Sequence, residues 1–156
     1  MTLKQRIVAD LTAAMKAKDT ARLGVIRMLK SRMMEAEVEQ RAMKGPGHEL
    51  EDPEALAVIA AYAKQRRDSI EAYRQGGRED LAAKEEVELT IIQEYLPAQL
   101  SVEEIRRIVS EAIAESGATS AKDLGAVMKI VMPKVKGVSD GKVVNQIVRE
   151  LLTGQR

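Results

Sequence analysis

Glu85, Glu86 and Glu88 crowd one stretch of the chain, where carboxylates could bind a cation or share acid and base work. A metal site on helices asks for converging ligands, such as Glu-x-x-His motifs on facing helices. The single histidine, His48, lies apart from them, beside a glycine–proline run. The acidic triplet is therefore expected to be a solvated helix face, and His48 an exposed or incidental loop residue. Serines are available at 69, 101, 110, 116, 120 and 139, but none sits in a G-x-S-x-G elbow. With one histidine and no cysteine, a nucleophile–base–acid triad has too few parts. Neither G-x-x-x-x-G-K nor G-x-G-x-x-G occurs, so nucleotide binding has no motif behind it. No catalytic residue, metal ligand or cofactor is assigned.

The basic residues near the C-terminus are more suggestive. Lys129, Lys134, Lys136 and Lys142 fall within fourteen residues, and Arg149 follows two helical turns later. Gly137 and Gly141 let backbone approach a ligand closely. A helix starting near residue 140 would add unsatisfied N–H groups and the positive end of its dipole. Such a surface suits a phosphate backbone, and about four phosphate contacts give a log–log salt slope of about −3 to −3.6. No aromatic residue lies beside these lysines to stack a base, so sequence readout is not expected. Overall charge is +1, but residues 117–156 carry seven Lys/Arg against three Asp/Glu, whereas residues 1–97 carry 16 against 17. A second basic run, Lys64-Gln65-Arg66-Arg67, has Asp68 and Glu71 at helical spacing, which favours pairing within one helix.

Helices must position all of these residues. The chain lacks Phe, Trp and Cys, and its apolar volume comes from Leu, Ile, Val, Ala and eight Met. That palette, with abundant Glu, Lys and Arg, favours helix over strand. Leu3, Ile7, Leu11 and Met15 form one stripe of a first helix, and Leu23, Ile26, Leu29 and Met33 one stripe of a second. The second runs to the breaker Gly45-Pro46-Gly47. At about 24 residues it would be about 36 Å long, with a polar end, Glu37 to Lys44, projecting past the body. Asp52-Pro53-Glu54 opens a third helix, with Asp52 as its N-cap and Pro53 at the first helical position, and Arg66 falls at a slot where the spacing wants an apolar residue. Gly76-Gly77 separates it from a fourth, which Pro97 ends. Ser101-Val102-Glu103-Glu104 is a capping box for a fifth. A sixth, from near Ser120, is interrupted at Pro133, and Ser139 or Asp140 caps a seventh.

Several segments, in order, resemble the YqeY family, which shares a domain with the C-terminal tail of the B subunit of glutamine-dependent aminoacyl-tRNA amidotransferases. They are Met15-Lys16-Ala17-Lys18-Asp19 with Arg22-Leu23 and Ile26-Arg27-Met28-Leu29; Arg66-Arg67-Asp68-Ser69-Ile70 with Tyr73 and Gly77-Arg78-Glu79-Asp80-Leu81; Tyr95-Leu96-Pro97 with Gln99-Leu100-Ser101; and Met132-Pro133-Lys134-Val135-Lys136-Gly137 with Asp140-Gly141-Lys142 and Val144-Asn145. The resemblance implies two helical bundles, of four and three helices. It also implies that the smaller one is similar to the part of the amidotransferase that touches tRNA. The family label, carbon–nitrogen ligase with glutamine as amido-N donor, would describe a larger complex whose catalytic parts this chain lacks. The family often has arginine after Lys-Gly in the turn, where this chain has Val138.

The expectation is thus an all-α protein. Residues 1–97 form a helical bundle with a long second helix, and residues 98–156 a small three-helix bundle. The expected function is a non-catalytic module that binds tRNA or accompanies a tRNA-modifying or aminoacylation enzyme. Its contacts are Lys129, Lys134, Lys136, Gly137, Gly141, Lys142, Asn145 and Arg149. The alternative is a protein-interaction adaptor, docking through Met33, Met34, Val38 and Met43 on the second helix. No segment approaches the roughly 18 apolar residues of a membrane span, and the charged amphipathic N-terminus is no signal peptide. With no cysteine, the expected location is the cytosol. Oligomeric state is left open.

Overall fold

The computed structural model describes residues 1–154. Among them are seven α-helices, a short 3-10 turn (Ala121–Asp123) and no strand. The helices are α1 (Leu3–Ala17), α2 (Thr20–Lys44), α3 (Asp52–Gln75), α4 (Glu79–Gln93), α5 (Val102–Ser116), α6 (Leu124–Val135) and α7 (Gly141–Thr153). The chain forms two compact units, Met1–Leu96 and Pro97–Arg156.

In the first unit, α1 begins with a reciprocal capping box: Thr2 Oγ1 accepts the Gln5 N–H at 3.2 Å and Gln5 Oε1 accepts the Thr2 N–H at 2.9 Å. Lys18, in the left-handed region at φ 56°, ends the helix, and Asp19 caps α2 by accepting the Arg22 N–H at 3.1 Å. The cap of α3 is Glu51 rather than Asp52. Asp52 instead accepts the N–H of Leu3 at 2.9 Å, tying the starts of α1 and α3 together. Ile7, Ile26, Leu29, Ile59 and Ile92 are fully buried where the four helices meet. Burying each such side chain contributes about 1.5–3 kcal/mol.

Three expectations about this unit change. The polar end of α2 does not stand free. Glu37 is buried and accepts the Leu50 N–H at 3.0 Å, while Lys4 Nζ and Arg41 reach its two oxygens at 2.6 and 2.9 Å. Arg41 Nε also donates to the His48 carbonyl at 2.9 Å, so the loop after Lys44 folds back along the helix. His48 is not an exposed residue: its side chain is 15 % exposed, with Nε2 2.9 Å from Glu54 Oε2. Glu85, Glu86 and Glu88 are counter-ions rather than a free face. Arg66 reaches Glu85 and Glu88, and Arg74 reaches Glu86. Spacing along one helix could not show this, because these pairs cross from α3 to α4.

In the second unit, Ser101 Oγ accepts the Glu104 N–H at 3.2 Å and Glu104 accepts the Ser101 N–H at 2.8 Å, the expected capping box. The core is a stack of β-branched side chains: Ile105 and Val109 of α5; Val127, Val131 and Val135 of α6; Val144, Ile147 and Val148 of α7. The helix expected to break at Pro133 runs on to Val135. Proline in a last turn removes a single N–H, and Val135 continues the buried Val127–Val131 row, so packing holds that turn helical.

Candidate nucleic-acid interface

The basic residues singled out from the sequence are carried by α6, α7 and the turn between them. On α7 the buried stripe is Val144, Ile147, Val148 and Leu152. At about 100° per residue, Lys142 and Arg149 lie on the face turned away from that stripe, and Asn145 lies at its edge beside Leu152. Lys142 and Arg149 are exposed and Asn145 is half-buried. On α6, Lys129 stands midway between the buried Val127 and Val131 and therefore points outward. Lys136 is the C-cap of α6 and is exposed. Lys129, Lys136 and Arg149 make no ion pair among the described residues. Arg156, counted in the charge of residues 117–156, lies outside them.

Lys134 does not join this group. It falls on the side of α6 that faces α5, where its Nζ lies 4.0 Å from Glu115 Oε2. Proximity in sequence placed it with Lys136, but a helix separates residues by angle.

Of the two caps expected for α7, Asp140 is the one that serves, accepting the Lys142 N–H at 3.0 Å. A carboxylate thus already occupies the positive end of the dipole, so a phosphate would be held by the lysine and arginine side chains rather than by the helix start. Ser139, three residues before Lys142, has the Ser-x-x-Lys spacing of some acylating enzymes, a signal the sequence reading missed. Its hydroxyl donates to the Val135 carbonyl at 3.2 Å, closing the end of α6.

The two glycines differ. Gly137 has φ +80°, which requires glycine. Gly141 has no positive φ, and a Cβ there would meet nothing within 4 Å. Also unforeseen is the role of the segment after Pro97. The Leu100 N–H donates to the Val138 carbonyl at 2.8 Å, and Gln99 Nε2 to the Gly137 carbonyl at 3.4 Å, so the stretch that follows the boundary at Pro97 braces the basic turn. Val138, where the family often has arginine, is half-buried and adds no charge. On the flank of α7, Arg106 reaches Glu150 at 3.2 Å, which keeps that acid toward α5.

Fold and site together define an all-α protein of two units, the second bearing a basic helical hairpin. The chain belongs to the YqeY-like family: the family model described as Yqey-like protein matches residues 4–152. A fungal protein named altered inheritance of mitochondria protein 41, mitochondrial, from Pyrenophora tritici-repentis, is 30 % identical over 153 residues, covering 94 % of this chain and 79 % of its own length. Proteins of the same name are 37 % identical over 87 residues in Vanderwaltozyma polyspora and 34 % over 89 in Eremothecium gossypii. Those two matches cover 56 % and 57 % of this chain and 44 % and 46 % of the relatives, so the chain matches less than half the length of these yeast proteins. The expected cytosolic location does not stand against these relatives, which are named as mitochondrial proteins. The physical reason is that a chain without cysteine carries no redox signature able to tell one compartment from another.

Proposed function

We propose that this protein is a tRNA-binding or tRNA-enzyme-associated module that contacts the phosphate backbone through the outer face of the α6–α7 hairpin. The observation that carries this reading is that Lys129, Lys136, Lys142 and Arg149 are all exposed on α6, α7 and the turn between them, while Glu150 is held by Arg106 of α5 and Glu115 lies on α5 beside Lys134. The likeness to the amidotransferase tail suggests tRNA as the RNA. Any carbon–nitrogen ligase activity would belong to a larger complex that supplies the catalytic groups.

A mobility-shift titration of the intact protein with bulk tRNA at about 50 mM salt tests it, where phosphate contacts are strongest. Binding is expected to be lost in Lys136→Glu with Lys142→Glu and nearly unchanged in Lys134→Glu. Absence of binding to tRNA at that salt would sink the reading.

In the adaptor alternative Met33 takes no part, because it is buried, whereas Met34, Val38 and Met43 are exposed.

A further inference from the structure

We propose that the outer face of the α1–α2 hairpin seats on an anionic lipid surface. The two helices run antiparallel, joined by the tight turn at Lys18–Asp19 and clasped near their other ends by Lys4 on Glu37 at 2.6 Å. Helical spacing in this register puts Val8 and Met15 of α1 beside Arg27, Lys30, Met34 and Val38 of α2 on the solvent side. The apolar members are open to solvent: Val8 43 %, Met15 54 %, Met34 57 % and Val38 65 % exposed. Arg27 and Lys30 form no ion pair or hydrogen bond among the described residues.

Charge points to the occupant. Residues 3–44 carry ten Lys/Arg against five Asp/Glu, whereas residues 52–93 carry six against nine. None of the five hairpin acids is left to balance the outer face. Asp10 accepts the Tyr95 hydroxyl, Asp19 caps α2, Glu37 is buried, and Glu35 and Glu39 line the cleft against α3. Methionine and valine side chains interleaved with the unpaired cations Arg27 and Lys30 complement an anionic amphiphile: acyl chains take the apolar groups and headgroup phosphates the cations. No helix among the described residues is long and apolar enough to cross a membrane, so the contact is one that lies on the surface.

The test is co-sedimentation of the intact protein with phosphatidylcholine vesicles with or without about 30 mol % phosphatidylglycerol. Binding is expected only with the anionic lipid and should weaken with salt. Each cation near such a surface contributes about fivefold to partitioning, so Arg27→Gln with Lys30→Gln should lower it about 25-fold. Met34→Ser with Val38→Ser should lower it further. Arg27, Met34 and Val38 are exposed and Lys30 is half-buried, and an unchanged circular dichroism melt confirms folding. The variant Lys136→Gln with Lys142→Gln keeps vesicle binding even where it loses tRNA, so this proposal and the tRNA reading fail separately. No binding to anionic vesicles, binding indifferent to Arg27 and Lys30, or binding carried by Lys136 and Lys142 each overturns it.

Discussion

The hydroxyl of Tyr95 donates to Oδ2 of Asp10 at 2.6 Å, joining the end of the first unit to its first helix. Arg6, one turn before Asp10, lies over the same ring at 4.7 Å, and burial together with the carboxylate holds the phenol well above its usual range. The phenol therefore stays neutral and donates throughout the physiological range. Tyr95→Phe should cost about 0.5–1.5 kcal/mol, the net worth of one hydrogen bond. Tyr95→Ala should cost about 3–5 kcal/mol, because it also opens a cavity. Urea unfolding of the two variants measures both; a Tyr95→Phe variant as stable as the parent would mean that the hydroxyl contributes nothing.

Glu37 is the second such tie. Its buried carboxylate holds the Leu50 N–H, Lys4 and Arg41 at once. Glu37→Ala strands a buried N–H, at a cost of about 1–3 kcal/mol, and releases the loop from Gly45 to Glu51. Amide exchange at Leu50 should accelerate far more than exchange in α5 to α7. A uniform change across both units would contradict this assignment.

Acid should loosen the first unit. Lys44, the Glu51 N–H and His48 hold Glu54 down to about 2, and Lys4 and the Leu50 N–H also lower Glu37. Both folded values lie below the unfolded value of about 4.3. Their contribution is therefore complete above that value and disappears as pH falls from about 4.5 toward 2. Thermal melts across this window should show falling stability at low pH, and Glu37→Gln should flatten part of the slope.

The two turn glycines should respond in opposite directions. Gly137→Ala forces a Cβ into a left-handed backbone and should cost about 1 kcal/mol or more. Gly141→Ala meets no neighbouring atom and should gain up to about 1 kcal/mol of helix stability. If Gly141 serves the approach of a phosphate backbone, the stabilised variant binds tRNA more weakly, a split that melts and titrations reveal together.

Salt gives a number for the hairpin itself. Four contacts, from Lys129, Lys136, Lys142 and Arg149, correspond to a slope of about −3 to −3.6, or about 60- to 150-fold weaker tRNA binding from about 50 to 200 mM salt. Removing Lys129 alone should reduce the slope by just under one. An unchanged slope would place the phosphate contacts elsewhere.

The sequence by itself determined the helices and most of their ends, because caps, breakers and apolar periodicity are local. Thr2, Asp19 and Ser101 lie where a start must be, and Gly45, Gly76 and Gly117 where a helix must stop. It also showed the excess of positive charge in the last forty residues. Only the tertiary structure decided how that charge is divided. Lys134 and Lys136 are two residues apart, yet one turns toward Glu115 of α5 and the other caps the helix in solvent. It likewise made Glu85 and Glu88 partners of Arg66, put Glu37 under a loop, and carried α6 through Pro133. Each of these depends on what a neighbouring helix presents across the gap, and one-dimensional spacing does not carry that information.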